Sequence, residues 1–430
     1  MAHEHHANSL PSELNAPQLL NQWRRRAMVV GAIFAVLSIV LALLAATVNH
    51  DGIDHLLRSY LLGYIFCWGL TVGGLALLMV QYVSGGKWGL LLRRPLEAMS
   101  RCLPLIMVLF LPIGFFMKKL YLWAKYSDAA EAYRQHLITH EQAHAIAYKH
   151  PMLNITSVWI QSAICFAIWF TFMHLLNKWG LQRDADLHPN VRFWQVRLEN
   201  LSGFGILVYS ITMSVCAIDW VMSLDPTWYS SIYGLMFLVG QGYLVLAVSI
   251  ITVLRLSQAE PMHTLLRKTE QHDLGKLAFA FVMLNIYLAF SQFLIIWSGN
   301  LPEEIPWYLD RIRGGWGVIA SLDFVFHWFI PFTLLLSRDL KRSKTRMTAL
   351  CCFMIFARLL DMFWLIEPNF PNAAGNLHLT GNVGILAYLT VPVAVLAFWG
   401  AYYLTQLNAR PLVNVNDPHL EEMLEPEHAH

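Results

Sequence analysis

Two polar side chains in the middle of an apolar stretch are the residues of this sequence best placed to do chemistry. Residues 315–336 read GWGVIASLDFVFHWFIPFTLLL and contain Asp323 and His327. The stretch is long enough to cross a bilayer, which takes about 20 residues, and a carboxylate at that depth costs about 2.5–3.5 kcal/mol on insertion scales. Residues four apart share one helical face, so the pair predicts a proton-handling or ligand-binding position in a membrane bundle. A buried pair that only fixes helix packing is the alternative.

A short acidic motif occurs twice and places further carboxylates near the ends of two predicted spans. Residues 219–226 and 361–368 both follow the pattern D-x5-[DE]-P, with Asp225 and Glu367 as the second acids. The motifs end the fifth and the ninth predicted spans, which are four spans apart, so the two helices run in the same direction, which favours two parallel four-helix repeats. In each repeat the first carboxylate would lie about 9 Å from the second, at about 1.5 Å per residue.

Further ionisable residues extend a predicted path for protons. Arg358 precedes Asp361 by three residues and can neutralise it, either within the path or as a structural ion pair. Asp219 has no cation near it in the sequence, so we expect it to exchange protons. His174 lies in the inner third of its span, and imidazoles, like acids, relay protons through bilayers. The predicted path comprises Asp219, Asp323, His327, Arg358, Asp361, His174, Asp225 and Glu367.

Composition defines the class of protein that holds these residues. The chain has 430 residues, of which 57% are hydrophobic and only 13% charged, against about 25% charged in an average soluble domain. We predict an all-α membrane protein with ten transmembrane helices, in which spans 2–5 and 6–9 form two four-helix bundles and spans 1 and 10 flank them. The bundles cover about 58–226 and about 231–368. The predicted spans are residues 27–48, 60–83, 102–122, 153–177, 201–223, 231–254, 276–298, 315–337, 347–366 and 383–406.

The basic residues predict how the chain crosses the membrane. Of the 30 Lys and Arg residues, 20 fall in the two tails and in the loops after the even-numbered spans, and Lys276 adjoins one of these loops at the start of the seventh span. Both tails, residues 1–26 and 407–430, should therefore be cytoplasmic. The first tail is polar and leads directly into a full-length span, so no cleavable signal peptide is expected.

The long loop 123–152 is rich in Ala and predicts an amphipathic helix on the outer surface. His136, His140 and His144 follow one another at four-residue spacing and could hold Zn²⁺ on one helical face. Solvated surface histidines are the simpler interpretation, and we predict no metal site. The same interpretation applies to His150 and to the histidines of the tails, His3, His5, His6, His428 and His430.

The six cysteines form no cofactor motif. They lie in or at the edges of apolar spans, without CxxC, CxxCH or ferredoxin-type spacing. The two histidines deep in spans, His174 and His327, differ in depth by about 13 Å at about 1.5 Å per residue, too far apart for one bis-histidine haem. We therefore expect no iron–sulfur cluster, no haem and no catalytic residue in this chain.

Aromatic residues near the outer ends of two spans offer a second kind of site. Trp220 and Trp228 lie near one end, and Trp297, Glu303 and Glu304 lie near another. Aromatic walls beside a carboxylate acceptor suit a quinol head group, whereas Trp and Tyr belts occur at any membrane interface. Quinone or quinol is therefore the one ligand that the sequence leaves open.

Two long segments carry a family resemblance. Residues 219–234, DWVMSLDPTWYSSIYG, and 290–311, FSQFLIIWSGNLPEEIPWYLDR, resemble the NrfD/PsrC-like membrane proteins, and among them the smaller quinone-binding-type subunits of alternative complex III. The resemblance runs from the first span to the tenth. It implies ten helices with two four-helix bundles, in the bacterial inner membrane.

The resemblance also implies a place in a respiratory complex. Such a complex oxidises quinol on the outer side of the membrane and passes electrons, through other subunits, to cytochrome c or an oxidase. This chain would provide a transmembrane proton path and structural support. The implied partners are the quinol-binding sister membrane subunit, an iron–sulfur protein, multihaem and monohaem cytochrome c subunits, small membrane subunits, lipids and a haem–copper oxidase, with no nucleic acid.

Two other classes of function fit parts of the sequence. A stand-alone secondary transporter would also have repeats and midplane charges, but the spans lack Gly/Pro breaks at matching places in the two halves. A passive anchor for extrinsic redox subunits would not need Asp323 and His327 at membrane depth.

Overall fold

The computed structural model describes residues 14–48, 52–186, 190–370, 386–414, 416–417, 419–420 and 423, and this part of the chain forms helices and no strands. Nine of its helices are long and apolar enough to cross a membrane, or ten if the bent pair within residues 87–115 counts as one span. The chain is therefore an all-α, multi-pass membrane protein, as the sequence predicted.

In chain order, the helices of the described residues are α1 (Pro17–Val48), α2 (Gly52–Ser84), α3 (Lys87–Ser100), α4 (Leu103–Phe115), α5 (Met117–Leu120), α6 (Leu122–Lys125), α7 (Ala129–Arg134), α8 (His140–Lys149), α9 (Ile155–Ala185), α10 (Val191–Trp220), α11 (Tyr233–Leu256), α12 (Met262–Leu265), α13 (Lys268–Gly299), α14 (Ile305–Asp310), α15 (Trp316–Asp323), α16 (Ile330–Leu336), α17 (Arg338–Arg342), α18 (Lys344–Ile366) and α19 (Ala387–Asn408). Turns of 3₁₀ helix follow α10 (Met222–Leu224) and α18 (Glu367–Asn369), and a π-helical segment (Phe324–Phe329) joins α15 to α16.

Two helices form the centre of the molecule because they are apolar on every side. Most residues of α2 and α11 are buried, as expected of membrane helices that other helices surround. Each central helix belongs to one group of helices. The first group consists of α2 with α4, α9 and α10, and the second group consists of α11 with α13, α15–α16 and α18. The two groups meet where α2 and α10 contact α11, and α1 packs against α19 at the side.

The third predicted span, residues 102–122, is wrong in its boundaries. α4 ends at Phe115, and the segment before it, expected to be a loop, is the helix α3. α3 is bent by 40° from α4 and is buried over most of its length. Its charges can be buried because Arg94 pairs with Glu97 at 2.6 Å and with Asp184 at 2.5 Å. Hydropathy could not reveal this pairing, since Asp184 lies 90 residues further along the chain.

The loop 123–152 does not form the single helix that we predicted. Between α7 and α8, His136 has a left-handed backbone with φ of 55°, which no α-helix accommodates. His136, His140 and His144 therefore do not share one helical face. Thr139 starts α8, because its hydroxyl accepts the Gln142 N–H at 3.2 Å while the Gln142 side chain accepts the Thr139 N–H at 3.1 Å. The tail histidines His3, His5, His6, His428 and His430 lie outside the described residues.

The first described residues and the segment after α19 lie at the same end of the bundle. The Leu412 N–H donates to the Leu14 carbonyl at 2.8 Å, and the Gly86 N–H donates to His419 Nε2 at 3.3 Å. We call this end the tail face, and we call the opposite end, with residues 220–232 and 299–315, the distal face. That the tail face is cytoplasmic stays a prediction.

Candidate functional site

Asp323 and His327 lie where a membrane helix changes its hydrogen-bond pattern. Asp323 is the last residue of α15, and His327 lies in the π-helical segment that follows. At the end of that segment the Ile330 N–H donates to the Val325 carbonyl, five residues earlier rather than four. Such π segments are rare and occur frequently at functional sites. The signal in the sequence for an irregular turn here is Pro331, which lies inside the predicted span.

A proline and a tyrosine define the geometry around His327. Pro331 has no N–H, so the carbonyl four residues before it, that of His327, lacks its usual α-helical donor. The hydroxyl of Tyr243, on α11, donates to that carbonyl at 3.3 Å. Its ring meets the imidazole edge-on, with 4.6 Å between the ring centroids. A neighbouring helix thus donates a hydrogen bond to the carbonyl at the helix break, as membrane interiors require, and its tyrosine ring holds the imidazole in place.

Arg358 and Asp361 form a buried ion pair on α18, next to the same helix break. Arg358 Nη1 donates to Asp361 Oδ2. The guanidinium lies against Gly240 of α11, where an added Cβ would be 2.3 Å from Arg358 Nη2. A side chain at position 240 would displace the guanidinium from its present position, so glycine there lets α11 pass close to the cation.

The side chains of Asp323, His327 and Asp361 converge into what we call the acid–imidazole cluster. Each offers a ligand atom, and these atoms lie within 4.8 Å of one another. Asp323 Oδ1 and His327 Nε2 are buried without a hydrogen-bond partner in the described part of the chain. Because an unpaired buried polar atom costs about 1–3 kcal/mol, the cluster is suited to bind a proton, a water molecule or a polar ligand. The same donors could hold a metal ion, but the neighbouring Arg358 guanidinium repels a second cation.

The acid–imidazole cluster lies at one end of a cavity of about 400 Å³ in the second helix group. Arg358 and Asn285 complete its polar end, and nine of the twenty lining residues are Phe, Tyr or Trp. We call this space the aromatic cavity. A concave, mostly aromatic space with a few convergent polar groups is the usual form of a ligand or active site.

The aromatic cavity has two directions of approach. Trp307 and Tyr308 of α14, and Ile312 just after it, line one end of the cavity at the distal face. Phe290 and Phe324, which are 56% and 49% exposed, line the side between α13 and α15. An apolar ligand can therefore reach the cluster from the side of the bundle, and at the distal end the cavity comes close to the surface beside Ile312, which is 49% exposed.

Asp219 and Asp225 do not line the aromatic cavity. Asp219 is buried near the end of α10, in the first helix group. Aromatic rings fill the interior of that group, among them Trp68 and Trp220, whose ring centroids are 5.1 Å apart. Asp225 Oδ1 accepts the N–H and the hydroxyl of Thr227 at 3.0 and 2.6 Å, so this carboxylate shapes a turn at the distal face.

Glu367 and His174 also lie outside the cluster. Glu367 forms an ion pair with Arg58 Nη1 at 3.4 Å and accepts a hydrogen bond from the Tyr388 hydroxyl, so it joins α2, α18 and α19. His174 is exposed on α9, with its ring stacked beside Phe170. The structure thus brings together four of the eight residues of the predicted path and leaves the other four elsewhere.

The five residues predicted for a quinol head group lie in different surroundings. Trp220 is buried in the first helix group, and Trp228 stacks on Trp307 with 4.4 Å between ring centroids. Trp297 is 69% exposed at the end of α13. Glu303 and Glu304 lie in the loop just before α14. None of these five residues lines the aromatic cavity, whereas Trp307 and Tyr308, which follow Glu304 closely in the chain, do.

Sequence reasoning missed a buried arginine that packs on Trp307, one of the residues lining the aromatic cavity. Arg311 is 1% exposed, and it donates to the carbonyls of Trp307 and Leu365 at 2.9 and 3.1 Å and to Asn369 Oδ1 at 2.7 Å. Burial lowers the pKa of Arg311 to about 10, so the side chain stays charged at neutral pH. Its guanidinium carbon is 3.6 Å from the Trp307 ring centroid. The four-residue spacing of Trp307 and Arg311 was the signal in the sequence that could have indicated this contact.

Comparison with protein-family models and with curated proteins adds no relative. No protein-family model matches the chain, and no curated protein matches it. The class that the fold and the site define is an all-α, multi-pass membrane protein with a buried acid–imidazole cluster. The resemblance to NrfD/PsrC-like subunits stays a prediction.

Proposed function

We propose that this chain is a cofactor-free membrane subunit of a respiratory quinol:electron-acceptor oxidoreductase and that its second helix group handles protons. The supporting observation for proton handling is the acid–imidazole cluster at the inner end of the aromatic cavity, with Asp323 Oδ1 and His327 Nε2 unpaired. Membership of a respiratory complex rests on the resemblance of residues 219–234 and 290–311.

The charges of the site favour a bound proton. The carboxylates of Asp323 and Asp361 and the guanidinium of Arg358 together leave one negative charge. An uncompensated charge at membrane depth costs at least about 2.5 kcal/mol, and one proton shared between Asp323 and His327 removes it. The two unpaired atoms give that proton two positions, which is what a relay needs.

Polar groups continue from the cluster towards the first helix group. A second cavity, of about 10 Å³, lies beside Arg358 and is also lined by Gln241 of α11. That volume is about the size of one water molecule. Gln241 Oε1 accepts the Tyr209 hydroxyl at 2.6 Å, and Gln241 Nε2 has no partner in the described residues. A water in this second cavity would link Arg358 to Gln241 and Tyr209.

Asp323→Asn in the assembled complex tests the proposal. We expect proton transfer coupled to quinol oxidation to slow about tenfold or more, because a positioned proton-transfer group contributes about 10²–10⁴-fold. The complex should assemble normally. Asp273→Asn is the matched control, since Asp273 is an exposed carboxylate on α13 that pairs with Lys276 at 2.9 Å.

The outcomes separate the two parts of the proposal. Normal proton coupling in Asp323→Asn at normal abundance would exclude the proton path. A chain that purifies alone, without iron–sulfur or cytochrome c subunits, would exclude the respiratory complex. In that case a transporter would be the better interpretation.

The helix breaks give a transporter less support. Transporters of this kind have broken helices at corresponding places in their two halves. Here the bend between α3 and α4 falls in the second helix of the first group, whereas the π-helical segment falls in the third helix of the second group. A passive anchor has no use for an unpaired acid and imidazole at this depth.

The aromatic cavity favours quinol binding as a second candidate function, at a different place from Trp297 and Glu303. Its aromatic walls suit a ring, and His327 and Asp323 would pair with ring hydroxyls. Ala289→Phe should fill the cavity and lower the quinone content of the purified complex. Ala280→Phe, exposed on the same helix, is the control. Equal quinone content in the two variants would exclude this candidate.

A further inference from the structure

We propose that a groove at the tail face binds the phosphate head group of an anionic phospholipid. The groove has a volume of about 490 Å³ and lies between α1, α11 and α19. Arg26 of α1 and Arg255, in the last turn of α11, line it from two different helices. The inference is independent of the proposed respiratory function.

The charges in the groove call for an anion. Arg26 and Arg255 face one space, and no acidic residue among those described lines it. Two guanidiniums that share a space repel each other unless an anion lies between them. Glu260, which follows Arg255 closely in the chain, is instead bonded to the Thr264 hydroxyl at 2.9 Å and lines a neighbouring groove.

The other lining residues point to a lipid rather than to a soluble anion. Leu19, Ile251 and Leu404 give the groove an apolar wall that a free phosphate would not use. Trp23 lies beside them, as tryptophans do at membrane interfaces. The groove is at the ends of three spanning helices, which is the depth of lipid head groups. Basic pockets between helices at this level are typical of anionic head-group sites.

The hydrogen-bonding side chains of the groove match a phosphodiester. A guanidinium binds phosphate oxygens through two parallel N–H donors, and the groove presents two guanidiniums. Gln22 and Gln258 also line it and add neutral amide donors. The exposed apolar face of α1, with Val29, Val30 and Ile33, extends from this end and would accommodate the acyl chains.

Lipid retention by the purified full-length chain tests this inference. The protein is equilibrated in mild detergent with equal amounts of phosphatidylglycerol and phosphatidylcholine, and native mass spectrometry counts the bound lipids. We expect selective retention of phosphatidylglycerol. Arg26→Gln and Arg255→Gln should each weaken retention about fivefold, the effect of removing one basic residue near an anionic head group.

Arg25→Gln is the matched control, because it removes the same charge from the same helix at a residue that does not line the groove. Loss of retention in Arg25→Gln equal to that in Arg26→Gln would overturn the proposal in favour of general surface charge. Equal retention of the two lipids would also overturn it. Displacement of the lipid by excess inorganic phosphate would reassign the groove to a soluble anion. Arg26 and Arg255 are exposed, so the variants should fold, and circular dichroism checks that they do.

Discussion

Arg358 brings a positive charge into the interior of the second helix group, and two neighbours allow it to stay there. Asp361 pairs with it from the same helix, and Gly240 leaves the space that its guanidinium occupies. A buried ion pair is sustained by such partners, and loss of either one leaves an uncompensated charge. Because Arg358 balances Asp361, the unpaired atoms of the cluster belong to Asp323 and His327.

Removal of the cation should be costly. We expect Arg358→Met to destabilise the chain by about 3–5 kcal/mol, since breaking a buried pair from one side strands the other charge. The double variant Arg358→Met/Asp361→Leu should recover most of that loss, because an apolar pair of similar size replaces an ion pair at little cost. Thermal unfolding in detergent measures both. A single variant as stable as the unchanged protein would contradict the importance of the pair.

The span formed by α15, the π-helical segment and α16 lacks the α-helical hydrogen bond between position 331 and the His327 carbonyl. Pro331 removes the usual α-helical donor to the His327 carbonyl, and Tyr243 of α11 supplies one from outside. The irregular turn and the contact between α11 and this span are therefore coupled. The coupling fixes the position of His327 relative to α18, where Asp361 lies.

A double-mutant cycle measures this coupling. Tyr243→Phe alone should cost about 1–3 kcal/mol, because the His327 carbonyl is then buried without a donor. In a Pro331→Ala background the same substitution should cost less, since an N–H at position 331 can reach the carbonyl within the helix. Equal costs of Tyr243→Phe in both backgrounds, measured by denaturant or thermal unfolding, would show that the two residues act independently.

At the scale of the whole molecule, a charge network holds the C-terminal segment against the tail face. Asp417 is buried, accepts a hydrogen bond from Arg93 Nη1 and lies 3.9 Å from Arg183 Nη1. Asn416 donates to the Arg183 carbonyl at 2.7 Å. Residues from α3, α9 and the segment after α19 thus meet at this network, which closes the first helix group at the tail face.

This attachment should depend on pH in a defined direction. Burial alone raises the pKa of Asp417, but the charges of Arg93 and Arg183 and the His419 N–H outweigh it and hold the pKa below its ordinary value. The carboxylate therefore stabilises the docked segment above the ordinary Asp pKa of about 3.9. That stabilisation is lost as the pH falls through the lower, folded-state pKa.

Hydrogen exchange of residues 409–417 measures the attachment. Protection should persist at neutral pH and disappear in strong acid. Asp417→Asn should lower protection at neutral pH about a hundredfold, because Arg93 then loses its buried carboxylate partner. Glu260→Gln, at an exposed carboxylate on the same face, is the control. Unchanged protection in Asp417→Asn would contradict the role of the ion pair.

The sequence by itself determined the class of protein and the shared helical side of Asp323 and His327. Long apolar helices follow from bilayer thickness, and four-residue spacing brings Asp323 and His327 to one side of a span. The pairing of Arg358 with Asp361 likewise depends on three-residue spacing within one helix. These are local properties, because the helical repeat and the transfer energies of neighbouring residues are all that they require.

Only the tertiary structure decided which charges are buried and where space remains. Glu367 pairs with Arg58, which is 309 residues away in the chain. Two arginines of α3 pair with carboxylates on α9 and in the segment after α19. The aromatic cavity is enclosed by helices that are distant in the chain, whereas aromatic rings fill the interior of the first group. A sequence pattern reports the hydropathy of each segment. Whether a buried charge is compensated, or a cavity stays open, depends on side chains that only folding brings together.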